Sequence, residues 1–291
     1  MNAVVAKLAL GASQFRFDDQ VGHPRARSPH AEISDILSIA ARSGIGMLDA
    51  AVAYDSAEIV LGGALPPGAP FGVLVRAARP DRGPDHVEFE ARASLRRLGL
   101  MRADAIIVQS AGDLFGRHGP ELWDKLQDLK DQGLFARVGV AALACDDPLG
   151  IAKRFRPDII QAPASLLDQR LLASGVLAEV ANLGVEVHLR SIFLQGLLFL
   201  PPDRMPAPLK GAASSLSRVR RMIAEGRSDP MQAALGFALA RREASAVIVS
   251  ASSAQELSAM VAAAASPPPD LDWDRMALDD ESALDHRWAA A

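Results

Sequence analysis

Gly46-Met-Leu-Asp-Ala-Ala-Val-Ala-Tyr54-Asp-Ser-Ala-Glu-Ile-Val-Leu-Gly-Gly63 contains one complete strand-to-helix unit. Ile45 to Ala50 reads as a short buried strand, and the apolar spacing beyond it predicts a helix from near Ser56. Asp49 and Tyr54 then project at the carboxyl end of the strand. A carboxylate and a phenol across such a turn suit proton transfer to a carbonyl or alkoxide, provided the tyrosine is tuned below its ordinary pKa of about 10. The structural alternative is that Asp49 binds the amides of the turn and Tyr54 packs on the loop.

Outward from this stretch the same unit recurs. Val4–Leu10, Phe71–Val75, Ala105–Val108, Val138–Ala142, Ile159–Gln161, Val185–Leu189 and Ala246–Val249 are short apolar runs. Between them lie helical patterns at Ala31–Ala41, Val87–Leu98, Glu121–Gln132, Leu149–Phe155, Leu171–Leu183, Ser214–Glu225, Pro230–Arg241 and Ser253–Ala264. Phe199–Ala212 reads as a long loop, broken by Pro201, Pro202, Pro206 and Pro208. Eight strand-helix units predict an α/β fold, a single-domain (β/α)8 TIM barrel over residues 1–291. The tail 270–291 is expected to pack a last surface helix through Trp273, Met276 and Leu278, with Asp279, Asp280 and Glu281 as its solvated start.

Composition limits the function. With 291 residues, 49% hydrophobic content and a net charge of −4, the chain is neither strongly basic nor strongly acidic, so nucleic acid and anionic membranes are poor partners. No apolar run reaches the roughly 18 residues of a membrane span, and Met1–Leu10 lacks a basic lead-in to a signal-peptide core, so a cytoplasmic protein is expected. The single cysteine, Cys145, reads as an inert, half-buried thiol. There is no His-Glu-x-x-His and no cysteine pair for a metal, and no Gly-x-Ser-x-Gly for a hydrolase.

A barrel gathers its polar strand ends at one mouth. That rule places Asp49, Tyr54, Arg76, Gln109, Gln161, Arg190 and Ser191 together. Six segments carry a resemblance: Leu8-Ala-Leu-Gly-Ala-Ser-Gln-Phe15, Leu48-Asp-Ala-Ala-Val-Ala-Tyr54 with Ser56-Ala-Glu58 and Leu61-Gly62, Ser94-Leu-Arg-Arg-Leu-Gly99, Gly133-Leu-Phe-Ala-Arg-Val-Gly-Val140, Asp158-Ile-Ile-Gln161 and Arg190-Ser-Ile-Phe-Leu-Gln-Gly-Leu-Leu198. In this order they resemble the aldo-keto reductases, over about Leu8 to Met260. The last segment is most similar to bacterial members associated with surface-sugar biosynthesis.

The resemblance implies a (β/α)8 barrel that moves hydride reversibly between NADPH and an aldehyde or ketone. In the family a tyrosine protonates the carbonyl oxygen, an Asp–Lys pair tunes it, and a histidine orients the substrate. The aspartate falls on Asp49 and the tyrosine on Tyr54, whereas the lysine position holds Arg76 and the histidine position Gln109. Arginine keeps the charge but is always protonated, so it tunes the tyrosine without relaying a proton. Glutamine still donates a hydrogen bond to a substrate oxygen.

The implied cofactor is NADP(H) or NAD(H), contacted by Gln161, by Arg190, Ser191, Phe193, Gln195 and Gly196, and by Ser250, Ser252, Ser253 and Glu256. The departures put its binding in doubt. No basic residue lies from Ser250 to Met260 to receive a 2′-phosphate, Met260 stands at the adenine-contacting Asn position, and Ala141-Ala142 replaces a carboxamide-gripping Ser-Asn. Ser253 with Glu256 reads equally as a capping box. Lys210, Arg218, Arg220 and Arg221 suit either a pyrophosphate clamp or a solvated helix face, and His188 a barrel layer or a helix contact. Two readings stay open: a reductase acting on a small carbonyl or sugar-like substrate, and a catalytically silent barrel that binds a small ligand or a protein. A redox-neutral lyase using Tyr54 and Asp49 is a third.

Overall fold

The computed structural model describes residues 4–12, 15, 30–50, 55–66, 68–200, 204–205 and 207–284. The first half alternates regularly: β1 (Leu8–Gly11), α1 (His30–Ser43), β2 (Met47–Asp49), α2 (Asp55–Ala64), β3 (Gly72–Arg76), α3 (Pro84–Arg97) and β4 (Ala103–Val108). Two helices, α4 (Gly112–Phe115) and α5 (Gly119–Asp131), lead to β5 (Phe135–Ala141), α6 (Pro148–Phe155) and β6 (Ile159–Pro163). Then follow α7 (Arg170–Ala173), α8 (Val176–Asn182), β7 (Glu186–Arg190), α9 (Ala213–Glu225), α10 (Pro230–Leu239), β8 (Ala244–Val249), α11 (Ala254–Ala265) and α12 (Glu281–Leu284).

Among the described residues the strands hydrogen-bond in sequence order and β8 closes on β1, giving an eight-stranded parallel barrel. The strand sequences explain why. Gly72-Val-Leu-Val-Arg76 and Ala103-Asp-Ala-Ile-Ile-Val108 are apolar almost throughout, as strands covered on both faces must be. Alternate side chains part to two cores: Leu74, Ala105, Ile107, Ala141 and Ile159 fill the barrel, while Val73, Val75, Ile106 and Val108 pack under the helices. Small residues are needed inside; a Cβ on Gly139 would lie 2.5 Å from the Ile107 side chain.

Local chemistry sets the helix limits. Asp229 caps α10 by accepting from the amides of Met231 and Gln232, and Pro230 occupies the first turn, where no donor is needed. The helix expected over Leu171–Leu183 is in fact two, because Gly175 takes the left-handed conformation (φ 75°) between α7 and α8. In the tail 270–291, where a last helix is expected, Trp273 and Met276 flank and end a single 3-10 turn, Asp274–Met276, α12 begins at Glu281, and 285–291 lie outside the described residues. Met276 and Leu278 are nonetheless buried, packing with Leu216, Val219 and Phe237 of α9 and α10.

Two of the segments that carried the resemblance meet in space. Glu58 of α2 is buried against α3, accepting hydrogen bonds from Ser94 Oγ and from Arg97 Nε at 2.6 Å. Gly62 lets the two helices approach: a Cβ there would stand 2.2 Å from the Arg97 carbonyl oxygen. At the opposite end of the barrel from the strand termini, Arg137 pairs with both Asp104 and Glu186.

Candidate functional site at the barrel mouth

Asp49 and Arg76 are the last residues of β2 and β3, where an inward side chain meets the mouth. Arg76 Nη2 donates to both Asp49 oxygens, at 3.0 and 2.8 Å. Gln161 lies in the middle of β6 rather than at its end, because the strand continues to Pro163. It therefore sits inside the barrel, fully buried, and its Nε2 donates to Asp49 Oδ2 at 2.9 Å. β2 and β6 stand on opposite sides, so this bond is a strut across the barrel. Asp49 thus accepts from two side chains; the amides of its own turn, residues 51–54, lie outside the described residues.

Above the strut is a cavity of about 530 Å³. Asp49 and Arg76 line it together with Gln109, which follows β4 directly and is solvent-exposed. Ala141 from β5 and Arg190 from β7 complete that part of the wall. Arg190 Nη2 donates to the Ala142 carbonyl at 3.1 Å. Burial, with Arg76 close by, pulls the Arg190 guanidinium down to about 10, still charged at neutral pH. Arg76 Nη1 and Arg190 Nε are buried donors without a partner among the described residues.

The segment after β7 forms the next wall. Ser191, Phe193, Gln195 and Gly196 all line the cavity, as does Phe199. Ser191, Leu194 and Gln195 have φ of 60°, 45° and 55°, three non-glycine residues in the left-handed region within one short stretch. Each costs on the order of 1 kcal/mol, and such strain persists only where surrounding contacts impose it. Arg220 of α9 supplies some of them, donating to the carbonyls of Leu197, Leu198 and Leu200. Arg220 is therefore neither a solvated face nor a wall of the cavity; it holds this loop. Lys210, Arg218 and Arg221 are exposed and do not line the cavity.

Ser250, Glu256 and Met260 close the ring at the start of α11, while Ser252 and Ser253 lie outside the lining. Ser253 Oγ accepts from the Glu256 amide at 3.1 Å. The reciprocal half of a capping box is displaced by one residue: Glu256 accepts from Ser252 N and Oγ at 2.8 and 2.7 Å. Glu32 of α1 accepts from the Ala254 amide. Two carboxylates thus occupy the positive end of this helix, where an anion would otherwise be favoured. No local signal marks Glu32, because its contact with Ala254 spans 222 positions.

The remaining expectations fall elsewhere. Tyr54 lies outside the described residues. His188 is completely buried beside Gln161 in the register, with Nε2 3.3 Å from Glu186 Oε2. Cys145 is exposed, not half-buried, since it sits on the short 3-10 turn Ala144–Asp146 after β5.

Comparison with known proteins gives the same picture at several levels. The model of the aldo/keto reductase family matches residues 7–278. A curated aldo-keto reductase of Mycolicibacterium smegmatis is 29% identical over 121 residues, 40% of this chain and 42% of that protein. The match therefore spans less than half the length of that relative. An aldo-keto reductase from Bacillus halodurans, solved in a holo form, superposes with a TM-score of 0.72 at 21% identity, covering 98% of this chain and 92% of its own. A candidate aldo-keto reductase from Pseudomonas aeruginosa gives a TM-score of 0.68 at 20% identity, with 89% of each chain covered. At these identities the structural matches speak for the fold.

Proposed function

The chain belongs to the aldo/keto reductase family, and from that premise we propose that it is a nicotinamide-dependent oxidoreductase reducing a small carbonyl compound at the barrel mouth. The observation that supports this most is the Asp49–Arg76–Gln161 cluster: an ion pair, tied across the barrel, at the floor of an open cavity. Bound reduced nicotinamide would supply hydride to the carbonyl carbon. In this reading the Tyr54 hydroxyl gives its proton to the carbonyl oxygen, and the Arg76 cation lowers the cost of the tyrosinate left behind. Asp49 fixes the Arg76 head, and the Gln109 amide donates to the same substrate oxygen.

The α11 start tests which dinucleotide fits. The amides of Ser252 and Ala254 already donate to Glu256 and Glu32, so a 2′-phosphate placed there would face two carboxylates and no free cation of that segment. A ribose with free hydroxyls would instead find an acceptor in Glu256, which lines the cavity. These contacts favour NAD(H) over NADP(H). The Ser191–Gly196 wall would hold the rest of the dinucleotide.

Titrating NADH and NADPH while following nicotinamide fluorescence should show saturable binding of NADH and much weaker binding of NADPH. An aldehyde panel should then oxidise NADH, and Tyr54→Phe should lower turnover about 100-fold or more. Binding of neither nucleotide at millimolar concentration would sink the proposal. Binding without turnover of any aldehyde or ketone would favour a silent, ligand-binding barrel.

A further inference from the structure

The polar balance of the cavity floor points to a feature of the substrate beyond its carbonyl. Arg76 and Arg190 come from β3 and β7, on opposite sides of the barrel, and both reach the same cavity. Each spends one nitrogen on the protein: Arg76 Nη2 on Asp49, Arg190 Nη2 on the Ala142 carbonyl. Each keeps a buried donor with no partner among the described residues, Arg76 Nη1 and Arg190 Nε. The Arg76 side chain is only 8% exposed, so that donor is not at the surface.

Unpartnered, buried donors on charged groups are costly, and a structure that retains them at a cavity wall is organised for an acceptor. The charges specify what kind. At this end two guanidinium ions face the Asp49 carboxylate, and the Asp146 charge also acts on Arg190, so the positive charge left over is no more than one. The other lining carboxylate, Glu256, is held by Ser252 at the start of α11. A monoanion neutralises the remaining charge, whereas a phosphate dianion overshoots it. A carboxylate also has two oxygens, enough for one donor from each arginine.

We infer that the substrate is a carbonyl compound that also carries a carboxylate, an oxo acid or an aldehydic uronic acid, whose carboxylate is received by Arg76 Nη1 and Arg190 Nε. This rests on the reading of the mouth as a carbonyl site, and it assigns Arg190 to the substrate instead of the nucleotide. Arg190 is then a specificity determinant: it selects the acid over its neutral analogue.

The test is a binding measurement on the full chain without nucleotide, which separates it from the reductase reading. Pyruvate and D-glucuronate are titrated calorimetrically against their neutral counterparts, pyruvamide and D-glucuronamide, with inorganic phosphate as a further arm. At least one acid should bind about 10-fold or more tightly than its amide, the scale of one charge-assisted hydrogen bond. Arg190→Gln should remove that preference, and Arg190→Lys, which keeps the charge but not the Nε donor, should restore part of it. Circular dichroism and thermal unfolding confirm that each variant is folded; should Arg190→Gln not fold, the Arg190→Lys comparison decides. Equal binding of acids and amides, unchanged preference in both Arg190 variants, or phosphate binding more tightly than either acid would overturn the inference. An acid preference without NADH oxidation would count against the reductase reading alone, and NADH oxidation without an acid preference against this inference alone.

Discussion

Replacing Asp49 by Asn removes one charge and almost no volume. Asp49 is 1% exposed and accepts from Arg76 at 3.0 and 2.8 Å and from Gln161 at 2.9 Å. The Asn carbonyl can still take the Arg76 and Gln161 bonds that now meet at Oδ2, but its amide nitrogen replaces Oδ1 as a donor facing Arg76 Nη2, so the substitution loses the charge and one hydrogen bond. Arg76 and Arg190 are left as two buried cations without an anion between them. Removing one partner of a buried pair costs about 3–5 kcal/mol. The adjoining cavity admits water to Arg76, which puts this case at the lower end, about 3 kcal/mol. For a chain of this length that lowers Tm by roughly 6 °C. Calorimetric unfolding of wild type, Asp49→Asn, Arg76→Gln and the double variant at neutral pH and low salt measures it. The double variant should be more stable than the sum of the singles by about 1.5 kcal/mol or more, because it removes both charges of the pair. A Tm change under about 1 °C for Asp49→Asn, or strict additivity in the cycle, would refute the assignment of Asp49 as the counter-ion of the mouth.

Gly62→Ala drives a methyl to 2.2 Å from the Arg97 carbonyl and 2.9 Å from Leu98 Cα, both backbone atoms. The α2–α3 joint must then open at a cost of about 2–3 kcal/mol, seen as a shift in urea midpoint. Gly46→Ala, whose Cβ meets nothing nearer than the Pro70 carbonyl at 3.9 Å, is the matched control with little expected change. The His188 hydrogen bond, aided by Arg137, holds the Glu186 carboxyl at about 2, well below its ordinary value. A depressed carboxylate contributes stability above its unfolded pKa, and that contribution is lost as pH falls from about 4.5 through 2. Glu186→Gln should therefore be less stable than wild type near neutrality, and the gap in Tm should close within that acid window; a gap constant with pH would show that Glu186 does not act through its charge.

The alternation of elements was legible because its causes are local. Apolar runs bounded by glycine and proline mark β2 to β8, and Asp229-Pro230 or Gly133 mark helix ends within a few residues. Gly175 escaped notice because a left-handed break looks the same in sequence as a tolerated glycine inside a helix. The segments that resembled the family were read as functional, yet much of their content is mechanical: Glu58, Gly62, Ser94 and Arg97 form a helix joint, and Gly139 makes room inside the barrel.

The sequence by itself determined an eight-fold strand-helix alternation, its closure into a barrel, and the gathering of Asp49, Arg76, Gln109 and Arg190 at one end, since strand direction alone sends their side chains there. Only the tertiary structure decided what those side chains do to one another. Gln161 reaches Asp49 across 112 positions and Glu32 reaches Ala254 across 222, and no local period or motif encodes a hydrogen bond between residues that distant. That Arg76 Nη1 and Arg190 Nε lack a partner among the described residues is likewise a property of the closed barrel, because satisfaction of a polar atom depends on everything that surrounds it in space.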